Sequence, residues 1–268
     1  MDLHDRSILL TGAAGGIGRS LALQLTQYAP RLTLVGRRAE GLEEVATLVR
    51  EQGGQAHVVA ADLTAPGAAG DVVAAAQERF GGIDVLVNNA GNVRAGRLET
   101  IEQAEVIAQI SLNLTAPILL TRAALPALRA SGDGLVVNVS SGIGLVGLPF
   151  YAAYAATKAG IAHFGEALRR ELFAEGVHVL TVYPGATSTP MIATSQAGPE
   201  HGFQYESPDD VAAATVAGMA DGSLAVVRGG ERRTQMIELN RTDPGALDRQ
   251  LAERKPALEQ AVAGHSSL

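Results

Sequence analysis

Short apolar runs alternate with longer stretches of helical spacing along most of this chain. Ser7 to Thr11, Leu32 to Val35, Ala56 to Ala60 and Ile83 to Val87 are runs of strand length, and Leu135 to Val139, Val177 to Val182 and Leu224 to Val227 continue the series. Runs that are apolar at successive positions mark strands covered on both faces. Between them, helical spacing begins at Arg19, recurs at Leu42, Val45, Ala46, Leu48 and Val49, and covers 67–80 and 99–114. A further helical stretch passes Pro117 and reaches Ala130, and a long helix is predicted from about Phe150 to Ala174. Ser207-Pro208 starts another, with serine as cap and proline in the first position, ending near Gly222. Strand–helix alternation from residue 7 to 227 predicts an α/β fold: a doubly wound parallel sheet of about seven strands with helices on both faces.

Two segments leave this rhythm. Residues 192–206 are polar and irregular, and a loop of about 190–206 has the length that in a compact domain is often a binding lid. They read as a loop over a site. From about residue 231 the pattern changes. Thr242-Asp243-Pro244 predicts a helix start. Leu247, Leu251, Leu258 and Val262 then share one face of a helix that Pro256 should kink or break. Residues 1–230 therefore read as a single domain, and 231–268 as a C-terminal helical extension packed on that domain or on a subunit partner.

Composition narrows the range of functions. Hydrophobic residues are 47% and charged residues 18%, so the chain has a core and is not disordered. The net charge of −7 provides no field for nucleic acid or an anionic membrane. There is no cysteine, which excludes disulfides and thiolate chemistry. The polar start runs straight into a strand, so a cytoplasmic setting is expected. No uninterrupted apolar run approaches the ~20 residues of a membrane span. The six histidines are dispersed and none is paired at ligand spacing, so no metal site is expected.

Thr11-Gly-Ala-Ala-Gly-Gly-Ile-Gly18 sits between the first strand and the first helix. Strand, glycine turn and helix in that order are the context of a dinucleotide loop in a Rossmann-type fold. Gly12 permits the tight turn, Gly15 or Gly16 lets backbone approach a pyrophosphate, and Gly18 lets the helix pack on the strand. The helix N-terminus offers free N–H groups to phosphates. The second strand ends at Gly36-Arg37-Arg38, where an acid would bind a ribose 2′-hydroxyl and a basic residue a 2′-phosphate. Arg37 and Arg38 favour NADP(H) over NAD(H), unless they are ordinary solvated loop residues. Asp62-Leu63 closes the third strand, where Asp62 can face a ligand, cap the next helix, or both. Asn88-Asn89-Ala90-Gly91 ends the fourth strand, where the amides can rigidify a turn or face the ligand. Asn113 lies in a predicted helix, which its propensity disfavours. It has either a local role or a bland surface one.

Tyr154 and Lys158 are four apart and share a helix face. An unperturbed phenol titrates near about 10, and a fixed ammonium beside it favours the phenolate. The pair is a way to make a general acid/base from tyrosine. Ser141, at the end of the fifth strand, can hold a substrate oxygen while Tyr154 exchanges a proton with it. Such a spacing alone is commonly a solvated lysine beside a packed aromatic; its company makes the difference.

Together these pieces resemble the classical short-chain dehydrogenase/reductase family over residues 7 to about 227. The glycine loop, with Gly12, Ala14, Gly15, Gly16, Ile17 and Gly18, resembles its cofactor loop, and Asn89, Ala90 and Gly91 its fourth-strand motif. Asn113, Ser141, Tyr154 and Lys158 match its catalytic tetrad, and Pro184, Gly185, Thr187 and Thr189 its nicotinamide-contacting segment. The resemblance implies that Tyr154 donates or accepts the proton, and that Lys158 lowers its pKa and holds the nicotinamide ribose. It implies that Ser141 orients the substrate oxygen and that Asn113 holds a water linking Lys158 to solvent. Asp62, beside Leu63, would contact the adenine, and Asn89 the adenosine-side ribose region. A homodimer or homotetramer is implied, although the long tail departs from the short ending of many members.

The expected function is an NADP(H)-dependent oxidoreductase acting on a secondary alcohol or ketone, with NAD(H) as the alternative cofactor. A cofactor-sensing protein without turnover is a second reading, against which the complete tetrad counts. A nucleotide-sugar epimerase or dehydratase would need a larger substrate domain than the chain has room for after residue 185. Leu145, Val146, Leu148, Phe150 and Met191 suggest an apolar substrate surface, unless they are simply core.

Overall fold

The computed structural model describes residues 1–268, and the apolar runs become strands. They are β1 (Ser7–Thr11), β2 (Arg31–Gly36), β3 (Gln55–Ala60), β4 (Val85–Asn88), β5 (Gly134–Val139), β6 (Val177–Tyr183), β7 (Ala186–Thr187), β8 (Tyr205–Glu206) and β9 (Ala225–Val227). The helices are α1 (Gly16–Leu25), α2 (Ala39–Glu51), α3 (Ala68–Phe80), α4 (Gln103–Ile110), α5 (Ala116–Ala130), α6 (Ala152–Glu171), α7 (Pro208–Asp221), α8 (Gly230–Thr242) and α9 (Pro244–Val262). The main sheet has the order β3-β2-β1-β4-β5-β6-β9, and every pair in it is parallel. The order reverses between β1 and β4, so a crevice opens there at the strands' carboxyl ends.

Side chains on a strand alternate between faces, and here both faces are covered. Ile8 and Leu10 point into a core with Leu21 and Leu25 of α1, Val45 of α2 and Val216 of α7. Leu9, between them, joins Val72 of α3, Leu120 of α5 and Leu168 of α6 on the other side. That double coverage is why the strands lack polar alternation. A third cluster lies at the carboxyl end, where Val93, Ile143 and Tyr151 meet Leu258, Ala261 and Val262 of α9.

Several boundaries differ from the sequence expectation. The helix expected over 99–114 begins at Gln103, where the Glu105 carboxylate accepts from the Glu102 backbone N–H at 3.2 Å. Residues 111–115 form one π-helical turn that runs into α5. The wider turn carries Asn113 inward, where it is buried. The joined helix 103–130 is long and apolar enough by length and composition to cross a membrane, with a mean hydropathy of 1.3 over an 18-residue stretch of it. In this fold it packs against α3 and α6 and buries Gln109, Asn113 and Thr121.

The segment 190–206 is more ordered than an irregular loop. Ala186–Thr187 and Tyr205–Glu206 pair as a small parallel ladder, and 190–192 and 199–201 are single 3-10 turns. In the extension, α8 was not marked by any apolar stripe. Asp243 caps α9 as expected, accepting from Ala246 N–H at 2.9 Å. Pro256 does not break α9, which runs through it. The carbonyl it leaves unbonded belongs to exposed Ala252, where water can take the bond.

The last residues cross back over the domain. Ala95 N–H donates to His265 O and Ser267 N–H to Val93 O, both at 2.9 Å. On the other side, Ser266 N–H donates to Thr194 Oγ1 at 2.9 Å. The tail is thus held between the loop after β4 and the segment after β7.

Candidate active site

One cavity of about 1050 Å³ opens at the carboxyl ends of β1, β4, β5 and β6. Its floor on one side is the glycine turn. Gly12 and Gly16 have φ of +67° and +52°, a region that side chains rarely adopt. A Cβ on Gly12 would lie 2.8 Å from Asn89 Nδ2, and one on Gly18 would lie 2.1 Å from Gly12 O. Gly15 is different: it is extended, and a Cβ there would meet nothing within 4 Å. Of Gly15 and Gly16, it is therefore Gly16 whose backbone requires glycine. No side chain caps α1, so its first N–H groups face the cavity beside Gly15, Gly16 and Ile17. The uncapped helix end and the open cradle fit a dinucleotide's diphosphate.

Thr11, which the sequence reading passed over, ties this turn to the β4 loop. Its Oγ1 accepts from the backbone N–H of Asn89 (2.9 Å) and Ala90 (3.0 Å) and donates to Val87 O at 3.1 Å. Asn89 Nδ2 returns to Thr11 O at 2.9 Å. Asn89, Ala90 and Gly91 line the cavity, as do Pro184, Gly185, Thr187 and Thr189.

Ser141, Tyr154 and Lys158 line the same cavity. Ser141 follows β5, and its Oγ accepts from Ile143 N–H at 3.3 Å. Tyr154 and Lys158 project from one face of α6, with Nζ 5.7 Å from the phenol ring centroid. Nζ donates to Val139 O at 3.0 Å. Burial pulls Lys158 down to about 8. Burial pushes Tyr154 up to about 12, against a smaller lowering by Ser141. The expected lowering of the phenol by Lys158 is therefore absent here. The ammonium is engaged by a strand carbonyl, and loss of hydration dominates both groups.

Asn113 lies behind the wall. Its Oδ1 accepts from Asn92 N–H and its Nδ2 donates to Asn92 O, both at 2.8 Å. A Cβ on Gly91 would lie 3.1 Å from Asn113 Oδ1 and 3.4 Å from Lys158 Nζ. The amide thus fixes the β4 loop and approaches the lysine across Gly91.

Other sequence candidates lie outside the cavity lining. Ala14 touches the core and would lie 3.4 Å from a Cβ on Gly41, and Leu63 packs on the opposite core. Asp62 is exposed. Its carboxylate accepts from Thr64 N–H at 2.9 Å and Thr64 Oγ1 at 2.7 Å, bonds that hold its pKa down. It closes a turn and does not cap α3, whose N-cap is Gly67. Arg37 and Arg38 are exposed beyond β2, beside this turn. Among the apolar candidates, Leu148 and Met191 line the cavity. Leu145, Val146 and Phe150 do not; Val146 is buried and Phe150 packs into the cluster beneath α9.

The extension supplies much of the missing wall: Met236 and Leu239 of α8, and Leu247, Leu251 and Leu258 of α9. Tyr151 and His265 also reach the cavity. Spacing put Leu247, Leu251 and Leu258 on one helix face but could not place them or His265 at the cavity, because that depends on a tail that returns from far along the chain.

Comparison with known proteins gives consistent likenesses. The sequence model of the family described as short chain dehydrogenase matches residues 6–200. A ketoacyl reductase of Nostoc is 31% identical over 253 residues, covering 92% of this chain and 88% of that protein. Dehydrogenase/reductase SDR family member 7B of Bos taurus is 32% identical over 278 residues, covering 98% of this chain and 85% of that protein. Among solved structures, a short chain dehydrogenase from Burkholderia cenocepacia in complex with NADP is similar with a TM-score of 0.78. It is 29% identical and covers 86% of this chain and 98% of that one.

Proposed function

The chain belongs to the short-chain dehydrogenase family and is an NAD(P)(H)-dependent oxidoreductase, and from that premise we propose that it reduces a ketone to a secondary alcohol with NADPH. The observation that carries this reading is the convergence of Ser141, Tyr154 and Lys158 on one cavity wall, facing the uncapped end of α1. The nicotinamide, when bound, supplies or takes the hydride.

The chain's own residues position the carbonyl and move the proton. Ser141 Oγ donates to the carbonyl oxygen. Tyr154, a neutral phenol at neutral pH because burial holds its proton on, gives that proton to the same oxygen as charge develops there. Lys158 carries its charge below about pH 8 and stabilises the phenolate left behind. Asn113 holds the loop against which the lysine works. Thr187 and Thr189, with Pro184 and Gly185, form the wall where the nicotinamide would lie. The exposed pair Arg37 and Arg38 supports NADP(H), as does the NADP bound to the Burkholderia protein.

Residues 1–230 act as the nucleotide-binding and catalytic unit, and 231–268 as the part that completes the substrate pocket. Exposed Ile107, Ile110 and Leu119 on the long helix support a homo-oligomer. The test is Tyr154→Phe with a panel of ketones and both cofactors. Turnover should fall by at least about a hundredfold, the lower bound for a general acid, while calorimetric cofactor binding survives. Unchanged turnover would reject the proton role.

A further inference from the structure

Three arginines of the extension border the cavity: Arg232 and Arg233 from α8 and Arg254 from α9. None makes an ion pair, whereas their neighbours Arg228 and Arg249 pair with Glu206 and Asp243. Arg233 lies deepest. Its Nη1 is fully buried and has no hydrogen-bond partner. A Cβ on Gly142, the residue after Ser141, would lie 2.5 Å from its Cζ, so the guanidinium rests on the backbone beside the proposed carbonyl-binding hydroxyl. Arg232 Nη2 and Arg254 Nη1 meet at the mouth, 2.6 Å and 3.3 Å from where a Cβ on Gly202 would sit.

A guanidinium with one buried, unpaired N–H nitrogen is costly, and a bound anion is its natural complement. Glu206, whose charge reaches Arg233, is otherwise engaged, and the other acids at the cavity are exposed to solvent. Glu206 accepts from Gly185 N–H at 3.0 Å and Arg228 Nε at 2.8 Å, and Glu200 is exposed to solvent. Glu253 also borders the cavity, on exposed α9 backbone. Burial and the charge of Arg232 push Arg233's pKa down, which an incoming anion would reverse.

Resting on the proposed ketone reduction, we propose that the substrate carries an anionic group, a carboxylate or a phosphate, which Arg233 binds beside the reacting carbonyl with Arg232 and Arg254 at the entrance. The apolar side chains of α8 and α9 then receive the rest of the molecule. The reaction is unchanged by this: the carbonyl carbon gains a hydride, its oxygen gains the Tyr154 proton, and the anion stays intact.

Calorimetry on protein saturated with oxidised cofactor, which cannot reduce a ketone, tests this apart from turnover. The probes are 2-oxooctanoate, its methyl ester, 2-octanone, and a methyl ketone of the same length ending in a phosphate monoester. The carboxylate or the phosphate should bind at least about tenfold tighter than the neutral probes, the worth of one charge-assisted bond. The tighter of the two identifies the anion. Arg233→Gln should erase the preference and Arg233→Lys should restore part of it. Equal binding of charged and neutral probes would overturn the proposal. So would a Kd for NADP that weakens about tenfold in Arg233→Gln, which would give the arginine to the cofactor. If anions bind as expected but no ketone is reduced with reduced cofactor, the anion site stands and the reaction is wrong.

Discussion

Tyr151 Oη lies 2.9 Å from His265 Nδ1, joining the start of α6 to the fourth residue from the C-terminus. The second ring nitrogen, Nε2, is 3.2 Å from Met191 O. A carbonyl only accepts, so Nε2 carries the hydrogen and Nδ1 accepts from the phenol. The imidazole is neutral, and burial holds its pKa down. Burial likewise pushes the Tyr151 phenol up, keeping it a donor. A bond between residues 151 and 265 thus anchors the tail to the cavity wall.

Removing this imidazole should leave a buried phenol and a carbonyl unpaired. His265→Ala should cost about 1–3 kcal/mol, measured by urea unfolding. It should also raise KM more than it lowers kcat, because the tail shapes the pocket and does not touch the proton path. The effect has a pH signature. The folded pKa lies below the unfolded one, so the stabilisation is present above about 6.5 and is lost as pH falls through the folded value. The gap between wild type and His265→Ala should narrow from pH 7.5 to 5. A constant gap would mean that the histidine is not held neutral.

Lys158 should titrate near 8 in the ligand-free protein. The chain has only two lysines, Lys158 and Lys255. Selective labelling of lysine Cε and Nζ therefore gives two resonances, and Lys158→Arg assigns them. An unperturbed lysine titrates near about 10.4, so the difference is easily seen. Because the folded value is depressed, this lysine's contribution to stability rises between about pH 8 and 10.5. For ketone reduction, kcat/KM should fall on the alkaline side as the ammonium is lost. A Lys158 resonance that moved only above pH 10 would contradict the burial described here.

The parts of this site that could be read from sequence share a physical property: they depend on local geometry. Tyr154 and Lys158 meet because four residues make about one helical turn. The glycine turn was legible because a tight strand-to-helix corner demands φ values that Gly12 and Gly16 supply. The sheet was legible because strands buried on both faces cannot hide their apolar runs. What escaped is non-local. The π turn at Asn113 is set by what the helix packs against on either side of it, which the sequence of residues 111–115 does not display. Helix α8 has no buried residue, so no stripe announced it. The electrostatics escaped as well: Tyr–Lys proximity suggested a lowered phenol, but where Nζ points depends on Val139 O, on another element.

The glycines of the turn should separate sharply by substitution. Gly18→Ala places a methyl 2.1 Å from Gly12 O and 2.7 Å from Asn89 Nδ2, where α1 crosses β1. Backbone must move, and the loss should be about 3 kcal/mol or more, the upper end for overpacking. Gly15→Ala adds a methyl in open space at an extended φ, so stability should stay within about 0.5 kcal/mol or rise slightly. Chemical denaturation of the two variants decides between this packing account and a general intolerance of the loop. Equal losses would favour the latter.

The proposed preference for NADP(H) rests on Arg37 and Arg38, which follow β2 where no acid stands. Neither makes an ion pair, and Arg37 lies close enough to Asp62 to help hold that carboxyl down. Both are exposed, so their removal should leave the fold intact, with melting shifts within those of ordinary surface changes. A charge-assisted bond to a 2′-phosphate contributes about 1.5–3 kcal/mol, and 1.4 kcal/mol is a factor of ten. Arg37→Ala with Arg38→Ala should raise the KM for NADPH by about 10–100-fold. NADH has no phosphate there, so its KM should change by less than about twofold. The contrast should shrink in high salt, since exposed charges are screened. A parallel loss with both cofactors would mean that the arginines shape the α2 entry and do not read the phosphate. No change with either would make them solvated surface residues and leave cofactor choice to other groups.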